Sequence, residues 1–545
     1  MKELPPPSYV SADRRDTIQL SITPVNNSRE PFIEEENRPR EKCGIAAIYS
    51  TTMPIETKMK TLLLAGEGVQ HRGQQGAGFG LPLTDGTILT RTGNGLLEEA
   101  LPHDATTDLP DKVSDSWATI HTRYSTEGSD RPYNLHPIRA TTPDGINIAV
   151  SHNGTFSETR SMREHAGGDH PADVSDTYLF THMLANTPGK NMDERVINAM
   201  KAAPGAASLL IGVGDTLYVA RDENGVRPLI IGEVDGAFMA ASETLAFDKV
   251  QGEPKRKVKA GEILKVTPDG ITVIQEGTED KAFCAIEFPY FSNKESKHAD
   301  SKNPEDWKEL AQIRRDIGRR AARERKEDSV SRGEEPVPPD VVLAVENSGT
   351  EFAEGYAKEW GTEVSWYLKK NPEHKKRLFQ DNDIDSIMKQ YNEKLLLEKA
   401  PELVGANVHI VDDSGIRGNV QRNLTPRLFD AGAKEVHYIL GTPPVVETCH
   451  LGVNISSKDE LVAWKNGGDL KAIAKDVGNA TSVQYISDEG FVRSIKNGSF
   501  AEPTEGIDVF RANGICGGCL GGEYPVPREN ALLKSTDVFV PREVS

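Results

Sequence analysis

The chain has 545 residues, with 64 Lys and Arg against 83 Asp and Glu, so its formal net charge is −19. An acidic chain disfavours nucleic acids and anionic membranes as partners, because both bind a basic face. Apolar residues make up 37% and charged residues 27%, the balance of a globular enzyme with room for two to four domains of roughly 150 residues each. No run approaches the ~20 apolar residues of a membrane-spanning helix. The acid-rich N-terminus fits neither a secretory signal nor a transit peptide, and we expect a cytoplasmic protein.

Residues 1–42 have the composition of an unpacked leader. They contain three consecutive prolines and two charge-rich stretches, SADRRD and EEENRPREK. Such a segment cannot bury enough apolar surface to order itself. We therefore expect a disordered leader that is removed. At Cys43 the pattern changes, because CGIAAIYS predicts a buried strand.

Two different patterns follow along the chain. From Cys43 to about residue 275, short glycine-rich strands outnumber helices, which predicts an α+β domain built on packed sheets. The clearest helices there are TKMKTLLLAGEGVQ and DTYLFTHMLANT. From about residue 284, strands such as VVLAVE and VHYIL alternate with helices, which predicts a parallel sheet. Residues 307–325 predict an amphipathic helix, and the charge- and proline-rich stretch 325–340 an exposed linker.

Cys43 is a candidate nucleophile at the start of the first predicted strand. A thiolate is strongly nucleophilic, but its formation needs a base nearby. Cleavage after Lys42 would free the α-amino group of Cys43, whose pKa of ~8 lets it accept the thiol proton near neutral pH. This pair of thiol and α-amine forms only after cleavage behind Lys42, and it needs no histidine as the base.

Polar residues that could serve an amide substrate follow in the same domain. The Asn153 side chain and the Gly154 backbone N–H could stabilise an oxyanion. Arg123 could bind a carboxylate, and Asp176 an ammonium group. Each signal is weak alone, since an Asn-Gly pair is more often a turn and a lone arginine is usually solvated or paired.

In combination, the motifs resemble the glutaminase domain of class II amidotransferases, whose nucleophile is N-terminal. The segments that carry this resemblance are HRGQQ at 71–75, HTRYST at 121–126, HNG at 152–154 and SDT at 175–177. From about Lys42 to about Pro527 the chain resembles the glutamine phosphoribosylpyrophosphate amidotransferases, the family that begins purine synthesis. RDENGVRPL at 221–229 and ASE at 241–243 belong to this resemblance.

The resemblance implies a fold and a set of roles. It implies an N-terminal-nucleophile αββα sandwich at 43–275, a type I phosphoribosyltransferase α/β domain with a parallel sheet at 276–530, and a tail at 531–545. Cys43 would attack the glutamine carboxamide to give a γ-glutamyl thioester, which water hydrolyses to glutamate. Asn153 and Gly154 would form the oxyanion hole. The implied glutamine-binding residues are Arg72, Gly73, Arg123 and Asp176.

The chain has five cysteines, and an odd number spaced this sparsely disfavours a disulfide scaffold. Four of them remain beside Cys43. Cys516 and Cys519 form a CxxC pair, whose soft thiolates suit zinc or iron–sulfur clusters. Spacing alone does not join them to Cys284 and Cys449, so zinc and free buried thiols stay open as alternatives. Cluster-bearing members of the family have cysteines at matching places. The resemblance therefore implies a structural 4Fe–4S cluster on Cys284, Cys449, Cys516 and Cys519.

The segment VHIVDDSGIRG at 408–418 places two carboxylates at the end of a predicted strand, where open α/β sheets bind ligands. Asp412 and Asp413 could bind ribose hydroxyls and Mg²⁺, while the loop and helix that follow hold a phosphate. A polar surface turn is the alternative. The segment resembles the type I phosphoribosyltransferase motif, which implies a phosphoribosylpyrophosphate site that also includes Ser414, Arg417, Gly418 and, on a separate loop, Lys370.

This second motif departs from the family pattern. Asn419-Val420-Gln421 stands where the family has threonine hydroxyls for the phosphate. Pro426 falls inside the following predicted helix, where we expect a lost hydrogen bond and a kink. Pro372 replaces an arginine after Lys370, and Glu346-Asn347 replaces Pro-Asp.

The leading hypothesis is an enzyme that hydrolyses glutamine and channels ammonia to phosphoribosylpyrophosphate, giving 5-phosphoribosylamine, pyrophosphate and glutamate. Mg²⁺ is the expected pyrophosphate partner, and the family implies a homo-oligomer, a dimer or tetramer. The altered loop after Gly418 favours an alternative, a divergent paralogue that passes ammonia to another phosphosugar or protein. A regulatory protein without activity is a third hypothesis. Asparagine synthetase would need an SGG-type ATP loop, and glucosamine-phosphate synthase would lack the CxxC pair.

Overall fold

The computed structural model describes residues 43–124, 131–299, 303–371, 392–455 and 457–527. The leader at 1–42, the tail at 531–545, and Pro372 with the basic stretch 373–380 lie outside the described residues, so the expectations for them stay predictions. Across the described ranges, no helix is both long enough and apolar enough to cross a bilayer.

The N-terminal half contains two antiparallel sheets. The first has the order β11-β9-β10-β1-β4-β2-β3 and the second β13-β12-β8-β7-β6-β5, for strands β1 (Gly44–Tyr49), β2 (Gly76–Pro82), β3 (Ile88–Asn94), β4 (Trp117–Arg123), β5 (Ile138–Thr141), β6 (Asn147–Phe156), β7 (Gly205–Val213), β8 (Thr216–Arg221), β9 (Ile230–Val234), β10 (Ala237–Ala241), β11 (Glu253–Lys257), β12 (Ile263–Thr267) and β13 (Gly270–Gln275).

The second half is built on a parallel sheet of order β18-β17-β21-β22-β23. The strands after Gln275 are β14 (Phe283–Cys284), β15 (Lys297–His298), β16 (Lys308–Glu309), β17 (Val341–Ala344), β18 (Val364–Ser365), β19 (Leu368–Lys370), β20 (Leu395–Leu397), β21 (Asn407–Asp412), β22 (Glu435–Leu440), β23 (Ser482–Tyr485) and β24 (Ile515–Cys516).

Helices flank the sheets in both halves. They are α1 (Ile55–Val69), α2 (Leu97–Ala100), α3 (His103–Thr107), α4 (Thr159–Ala166), α5 (Asp176–Asn186), α6 (Met192–Ala202), α7 (Leu245–Lys249), α8 (Leu310–Ser331), α9 (Thr350–Trp360), α10 (Asn419–Asp430), α11 (Val462–Lys465), α12 (Leu470–Asp476), α13 (Asp488–Lys496) and α14 (Val509–Ala512).

Strand β1 shows why the first half is a four-layer sandwich. Successive side chains of a strand point to opposite faces, and both faces of β1 are apolar and buried. Ala46 and Ile48 pack with α1 and α7, whereas Ile45 and Ala47 pack against the second sheet. Helices α4, α5 and α6 cover the outer face of that sheet. The predicted αββα sandwich is confirmed, as is the parallel sheet of the second half, while the exact domain boundaries stay a prediction.

Helix α8 is longer than its sequence pattern predicts. It continues to Ser331. The expectation of an exposed linker at 325–340 was therefore wrong for residues 325–331, which are helical. Charged side chains at this end pair within the helix or across to α9: Arg320 with Glu324, and Arg323 with Glu359. These pairs let a highly charged segment remain helical. As predicted, Pro426 lies inside a helix, α10, which continues to Asp430; the expected kink stays a prediction.

Helices α8 and α9 touch through their backbones at two glycines. A Cβ on Gly318 would lie 1.9 Å from the Phe352 carbonyl oxygen, and one on Gly355 would lie 1.9 Å from the Arg315 carbonyl oxygen. This close approach fixes α9, whose N-terminus follows the loop that contacts the end of β21.

We expect Gly318→Ala and Gly355→Ala each to lower the free energy of unfolding by roughly 1–3 kcal/mol, because overpacking forces the helices apart. Urea unfolding measures this loss. Gly498→Ala is the matched control, since a Cβ there meets nothing within 4 Å. Wild-type urea midpoints for both helix variants would contradict the described helix contact.

Candidate functional site

Cys43 lies one residue before β1 and is half-buried. Its Sγ is 3.7 Å from the carbonyl oxygen of Tyr124, the residue after β4. Its own carbonyl oxygen accepts a hydrogen bond from Arg72 Nε at 3.2 Å. Because β1 pairs with β4 through Gly44 and Thr122, the sulfur is placed beside the end of β4 that carries Arg123.

The Asn153–Gly154 pair lies within strand β6, so the alternative of a turn was wrong. Gly154 has φ +146°, and a Cβ there would lie 1.8 Å from the Ala206 carbonyl oxygen, so this position requires glycine. Asn153 Nδ2 is 3.5 Å from Ser242 Oγ, which accepts a hydrogen bond from the Ile45 backbone N–H at 3.1 Å. Ser242 therefore joins the Asn–Gly pair to the strand that follows Cys43.

Asp176, the first residue of α5, is held against strand β6 by a backbone donor of that strand. Its carboxylate accepts hydrogen bonds from the N–H of Phe156 at 2.9 Å and of Thr177 at 2.7 Å. Phe156 is two residues beyond Gly154. The arrangement thus brings the predicted ammonium-binding group to the strand that bears the predicted oxyanion hole.

Gly73 and Arg123 lie together at the end of β4. Arg123 is the last residue of that strand and is buried. A Cβ on Gly73 would lie 2.3 Å from the Thr122 carbonyl oxygen, so only glycine allows this approach. The structure thus places Cys43, Gly73 and Arg123 around one strand end.

The side chain of Arg72 is buried and binds groups of the protein itself. It is 0% exposed, and its terminal nitrogens donate to Glu243 Oε1 at 2.5 Å and to Glu287 Oε1 and Oε2 at 2.8 and 3.1 Å. Arg227 also approaches Glu287 Oε1, at 3.4 Å. Arg72, Arg227, Glu243 and Glu287 form what we call the buried charge network. The glutamine-binding role of Arg72 stays a prediction, but its guanidinium already binds two carboxylates and the Cys43 carbonyl.

The charges of this network stabilise one another. Burial alone would lower the pKa of Arg72, but Glu287 and Glu243 outweigh burial and raise it. Burial would raise the pKa of Glu243, but His71 and Arg72 hold it well below its usual range. Burial also opposes ionisation of Glu287, whose pKa Arg72 nevertheless lowers. Sequence reasoning missed Glu243 and Glu287 as site residues, although an acid inside the apolar run FCAIEFPYF was a visible signal.

The structure brings the four remaining cysteines into one region. Cys284 and Cys516 are partners in the parallel pair β14 and β24. The carbonyl oxygen of Cys519 accepts hydrogen bonds from the N–H groups of Val446 and Glu447, which precede Cys449. No disulfide joins any of the five cysteines, all of which lie in the described part of the chain.

The electrostatics of these thiols also indicate proximity. Burial raises the pKa of Cys284 to about 12, and among its neighbours Arg227 lowers the pKa while Glu287 and Cys449 raise it. Burial raises the pKa of Cys519 as well, and Cys449, Cys284 and Cys516 raise it further.

The four-cysteine group supplies soft ligands that suit either a zinc ion or an iron–sulfur cluster. In the described part of the chain, no group of three or more His, Cys, Asp or Glu side chains is arranged to hold one metal ion. One zinc ion would need its thiolates to converge at ~2.3 Å from a common point. A four-iron cluster is larger than one ion and therefore spreads its cysteines apart. Cys284, Cys516 and Cys519 lie in an apolar core and Cys449 packs against it, and cysteine thiolates are the usual ligands of such clusters.

The two predicted carboxylates lie at the carboxyl edge of the parallel sheet. Asp412 Oδ1 accepts hydrogen bonds from Ser348 Oγ at 3.1 Å and from the Asp413 N–H at 2.9 Å. Asp413 is 4% exposed, and its Oδ2 has no hydrogen-bond partner among the described atoms. A Cβ on Gly349 would lie 2.4 Å from the Val411 carbonyl oxygen. The loop with Ser348, which also carries the Glu346-Asn347 departure, therefore packs on the end of β21; sequence reasoning gave Ser348 itself no role.

The loop after Ser414 is held by its own side chains. Gly418 has a left-handed φ of +78° and precedes α10. Arg417 Nε donates to Glu460 Oε2 at 2.7 Å. Arg422 Nη1 donates to the Arg417 carbonyl oxygen at 2.7 Å and to Asn419 Oδ1 at 3.0 Å. The loop predicted to bind the phosphate is thus held by these contacts, and its Arg417 is already paired with Glu460.

Lys370 lies at the end of β19 and is exposed. Its backbone N–H donates to Glu346 Oε2 at 2.9 Å. Lys370 and the substituted residue Glu346 are therefore in contact.

Comparisons with known proteins give relatives along nearly the whole chain. The chain is 30% identical over 545 residues to a chloroplastic amidophosphoribosyltransferase of Glycine max, covering 98% of this chain and 88% of that protein. It is 31% identical over 544 residues to the amidophosphoribosyltransferase of Mus musculus, covering 91% and 99%. No family model matches the chain.

Solved structures show the same fold. The glutamine phosphoribosylpyrophosphate amidotransferase of B. subtilis, complexed with ADP and GMP, matches with a TM-score of 0.75 and 26% identity over 90% of this chain and 98% of that one. A structure described as the allosteric regulatory enzyme of purine biosynthesis matches with a TM-score of 0.76 and 26% identity. With a nucleophile candidate, a carboxylate-bearing parallel sheet and full-length relatives at this identity, the chain belongs to the amidophosphoribosyltransferase family.

Proposed function

We propose that the chain hydrolyses glutamine in its first half and channels the ammonia to phosphoribosylpyrophosphate in its second half. The products are glutamate, pyrophosphate and 5-phosphoribosylamine, in the first step of de novo purine synthesis. The observation that carries this proposal is the placement of Cys43, whose carbonyl is anchored by Arg72 while its sulfur lies beside Tyr124. The family relationship supports both halves of the reaction.

In the first half, removal of the leader would leave the α-amine of Cys43 as the base for its own thiol. The Sγ–H proton passes to that amine, and Sγ attacks the carboxamide carbon of glutamine. Asn153 Nδ2 and the Gly154 N–H stabilise the oxyanion. Collapse of this intermediate breaks the C–N bond, and the amine returns the proton to the departing ammonia. Water then cleaves the thioester and releases glutamate.

The remaining pocket residues hold the substrate. Arg123 binds the α-carboxylate of glutamine and Asp176 its α-ammonium group, because these charges complement the two ends of an amino acid. Asp176 already has both oxygens oriented by backbone N–H groups, so little reorganisation accompanies binding. Arg72 and Gly73 border the pocket, with Arg72 acting through the Cys43 carbonyl.

In the second half, Asp412 and Asp413 bind the ribose hydroxyls, Ser414 to Gly418 the 5-phosphate, and Lys370 the pyrophosphate. Mg²⁺, which Asp412 and Asp413 would help to hold, supplies charge neutralisation to the pyrophosphate when bound. The buried, unpartnered Oδ2 of Asp413 supports this role, since a buried carboxylate oxygen is costly without a partner.

We propose that the four-cysteine group holds a structural 4Fe–4S cluster. It would join three segments distant in sequence: β14, the loop of Cys449, and β24 with the turn after it. We also propose a cytoplasmic homo-oligomer, a dimer or tetramer, on the family resemblance.

A second candidate, amination of a different phosphosugar or delivery of ammonia to a partner, is favoured by one observation. Val420 packs against the core of the second half and provides no hydroxyl, while Arg417 is paired with Glu460. Glutamate release without pyrophosphate from phosphoribosylpyrophosphate would support this candidate against the first.

Cys43→Ala should lower glutamate release on the order of 10⁴-fold or more, because no other group supplies the nucleophile. The same variant, given ammonium in place of glutamine, should still release pyrophosphate at the wild-type rate. Both activities are measured on chains that begin at residue 43, for the wild type and the variant alike. Retained glutamate release in the variant would contradict the proposed nucleophile.

Asp413→Asn should lower ammonium-dependent pyrophosphate release on the order of 100-fold, because a charge at the reacting site is removed. Asp430→Asn, at the exposed end of α10, is the control and should leave this rate unchanged. Equal rates for the two variants would place the phosphosugar site elsewhere.

Protein purified without oxygen should contain iron and acid-labile sulfide in equal amounts and show broad visible absorption. Cys516→Ser should lose most of both, because one of four thiolate ligands is removed, whereas Cys43→Ser should retain them. Zinc in place of iron, or iron unaffected by Cys516→Ser, would contradict the proposed cluster.

A further inference from the structure

We propose that Glu287 is a positioning residue that couples the nucleophile Cys43 to the cysteine-bearing segment around Cys449. Only the role given to Cys43 in this proposal rests on the proposed function. Glu287 lies three residues after Cys284, in a short 3-10 turn, and is 1% exposed. It is 215 residues from Arg72 in sequence, so the contact joins two distant parts of the chain.

On one side, Glu287 holds the anchor of the nucleophile. Both of its carboxylate oxygens accept hydrogen bonds from Arg72, at 2.8 and 3.1 Å. This two-point contact fixes the plane of the guanidinium. Arg72 Nε then donates to the Cys43 carbonyl at 3.2 Å. The plane of the Arg72 guanidinium therefore orients the Cys43 backbone. The position of the Cys43 α-amine relative to its Sγ depends on that orientation.

On the other side, Glu287 holds Arg227, which reaches the cysteine-bearing segment. Arg227 Nη1 is 3.4 Å from Glu287 Oε1, and Arg227 Nη2 donates to the Leu451 carbonyl oxygen at 2.8 Å. The Leu451 N–H in turn lies 3.4 Å from Cys449 Sγ. A continuous set of polar contacts therefore runs from Cys449 through Leu451, Arg227 and Glu287 to Arg72.

The network leaves little room for independent movement. Arg72, Arg227, Glu243 and Glu287 are each 3% exposed or less, so water does not screen or replace their contacts. Ser292 Oγ also donates to Glu287 Oε2 at 2.7 Å, and Ser296 Oγ to Glu243 Oε2 at 2.6 Å. Two positive and two negative charges balance in this space. A displacement of the Leu451 segment must therefore shift Arg227 and Glu287, and with them Arg72.

The consequence is a link between the state of the four cysteines and the reactivity of Cys43. Where the four-cysteine group is intact, Leu451 holds Arg227 in place and Cys43 is correctly oriented. Where one of these cysteines is lost, the Leu451 segment shifts and the nucleophile is misplaced. A purely structural role for Glu287 would instead lower stability without making Cys43 depend on Cys449.

A double-mutant cycle between Cys449→Ser and Glu287→Gln tests this coupling. The measured quantity is the rate of Cys43 alkylation by iodoacetamide in the full chain processed to Cys43, followed by peptide mass spectrometry. We expect Cys449→Ser to slow this rate roughly tenfold in the wild-type background, and less than about twofold in the Glu287→Gln background. Slowing by the same factor in both backgrounds, or none in the wild-type background, would overturn the proposal.

Glu262→Gln is the matched control. Glu262 is also buried and binds an arginine through both oxygens, at 2.7 and 2.9 Å from Arg256, but it lies outside the buried charge network. In this background, Cys449→Ser should slow alkylation as much as in the wild type. Loss of the effect here too would also overturn the proposal, because any buried charge change would then suffice.

Two further measurements keep the test decisive. Glu287→Gln alone should lower kcat for glutamate release roughly tenfold or more with KM nearly unchanged, because Glu287 orients the nucleophile without touching glutamine.

If Cys449→Ser does not fold, Arg227→Met replaces it in the cycle. We again expect a larger slowing of alkylation in the wild-type background than in the Glu287→Gln background, and equal slowing in both, or none in the wild-type background, would overturn the proposal. Alkylation needs no substrate, so a wild-type protein that releases no glutamate would refute the proposed function while the cycle still decides the coupling.

Discussion

The two-point contact between Arg72 and Glu287 is the interaction on which the first site depends. Arg72 holds the Cys43 carbonyl, and Glu287 with Glu243 supplies the negative charge that allows a guanidinium to be fully buried. Removing one partner of a buried pair leaves an uncompensated charge and is strongly destabilising. The network therefore constrains both the geometry of the nucleophile and the packing of the segment that follows Cys284.

The sheets place the rest of the site around this anchor. Pairing of β1 with β4 brings Cys43 beside Tyr124, and Ser242 connects β1 to Asn153 on the facing sheet. The second site uses another geometry, the carboxyl edge of a parallel sheet, where Asp412 receives Ser348 from a neighbouring loop. Helix α9 follows that loop and is fixed on α8 by the glycine contacts. This packing fixes the position at which the loop ends.

Much of this was predictable from the sequence because it depends on local patterns. Alternation of short strands and helices predicts the parallel sheet, and the Asn-Gly and Asp-Asp motifs lie at the strand positions that their spacing and resemblance indicate. The end of α8 was not predictable, because some of the partners of its charged turns lie on α9. The charge network was also missed, since the burial of Arg72 and Glu287 depends on a contact across 215 residues. Resemblance alone assigned Arg72 to glutamine, whereas its guanidinium contacts protein groups.

We propose that amide cleavage passes through a thioester on a cysteine that has become the first residue of the chain. Acid quenching during turnover with glutamine, followed by peptide mass spectrometry, would capture this thioester. We expect a γ-glutamyl adduct on the N-terminal peptide that begins with Cys43. An adduct on any other residue, or an adduct on Cys43 with residues 1–42 still attached, would contradict it.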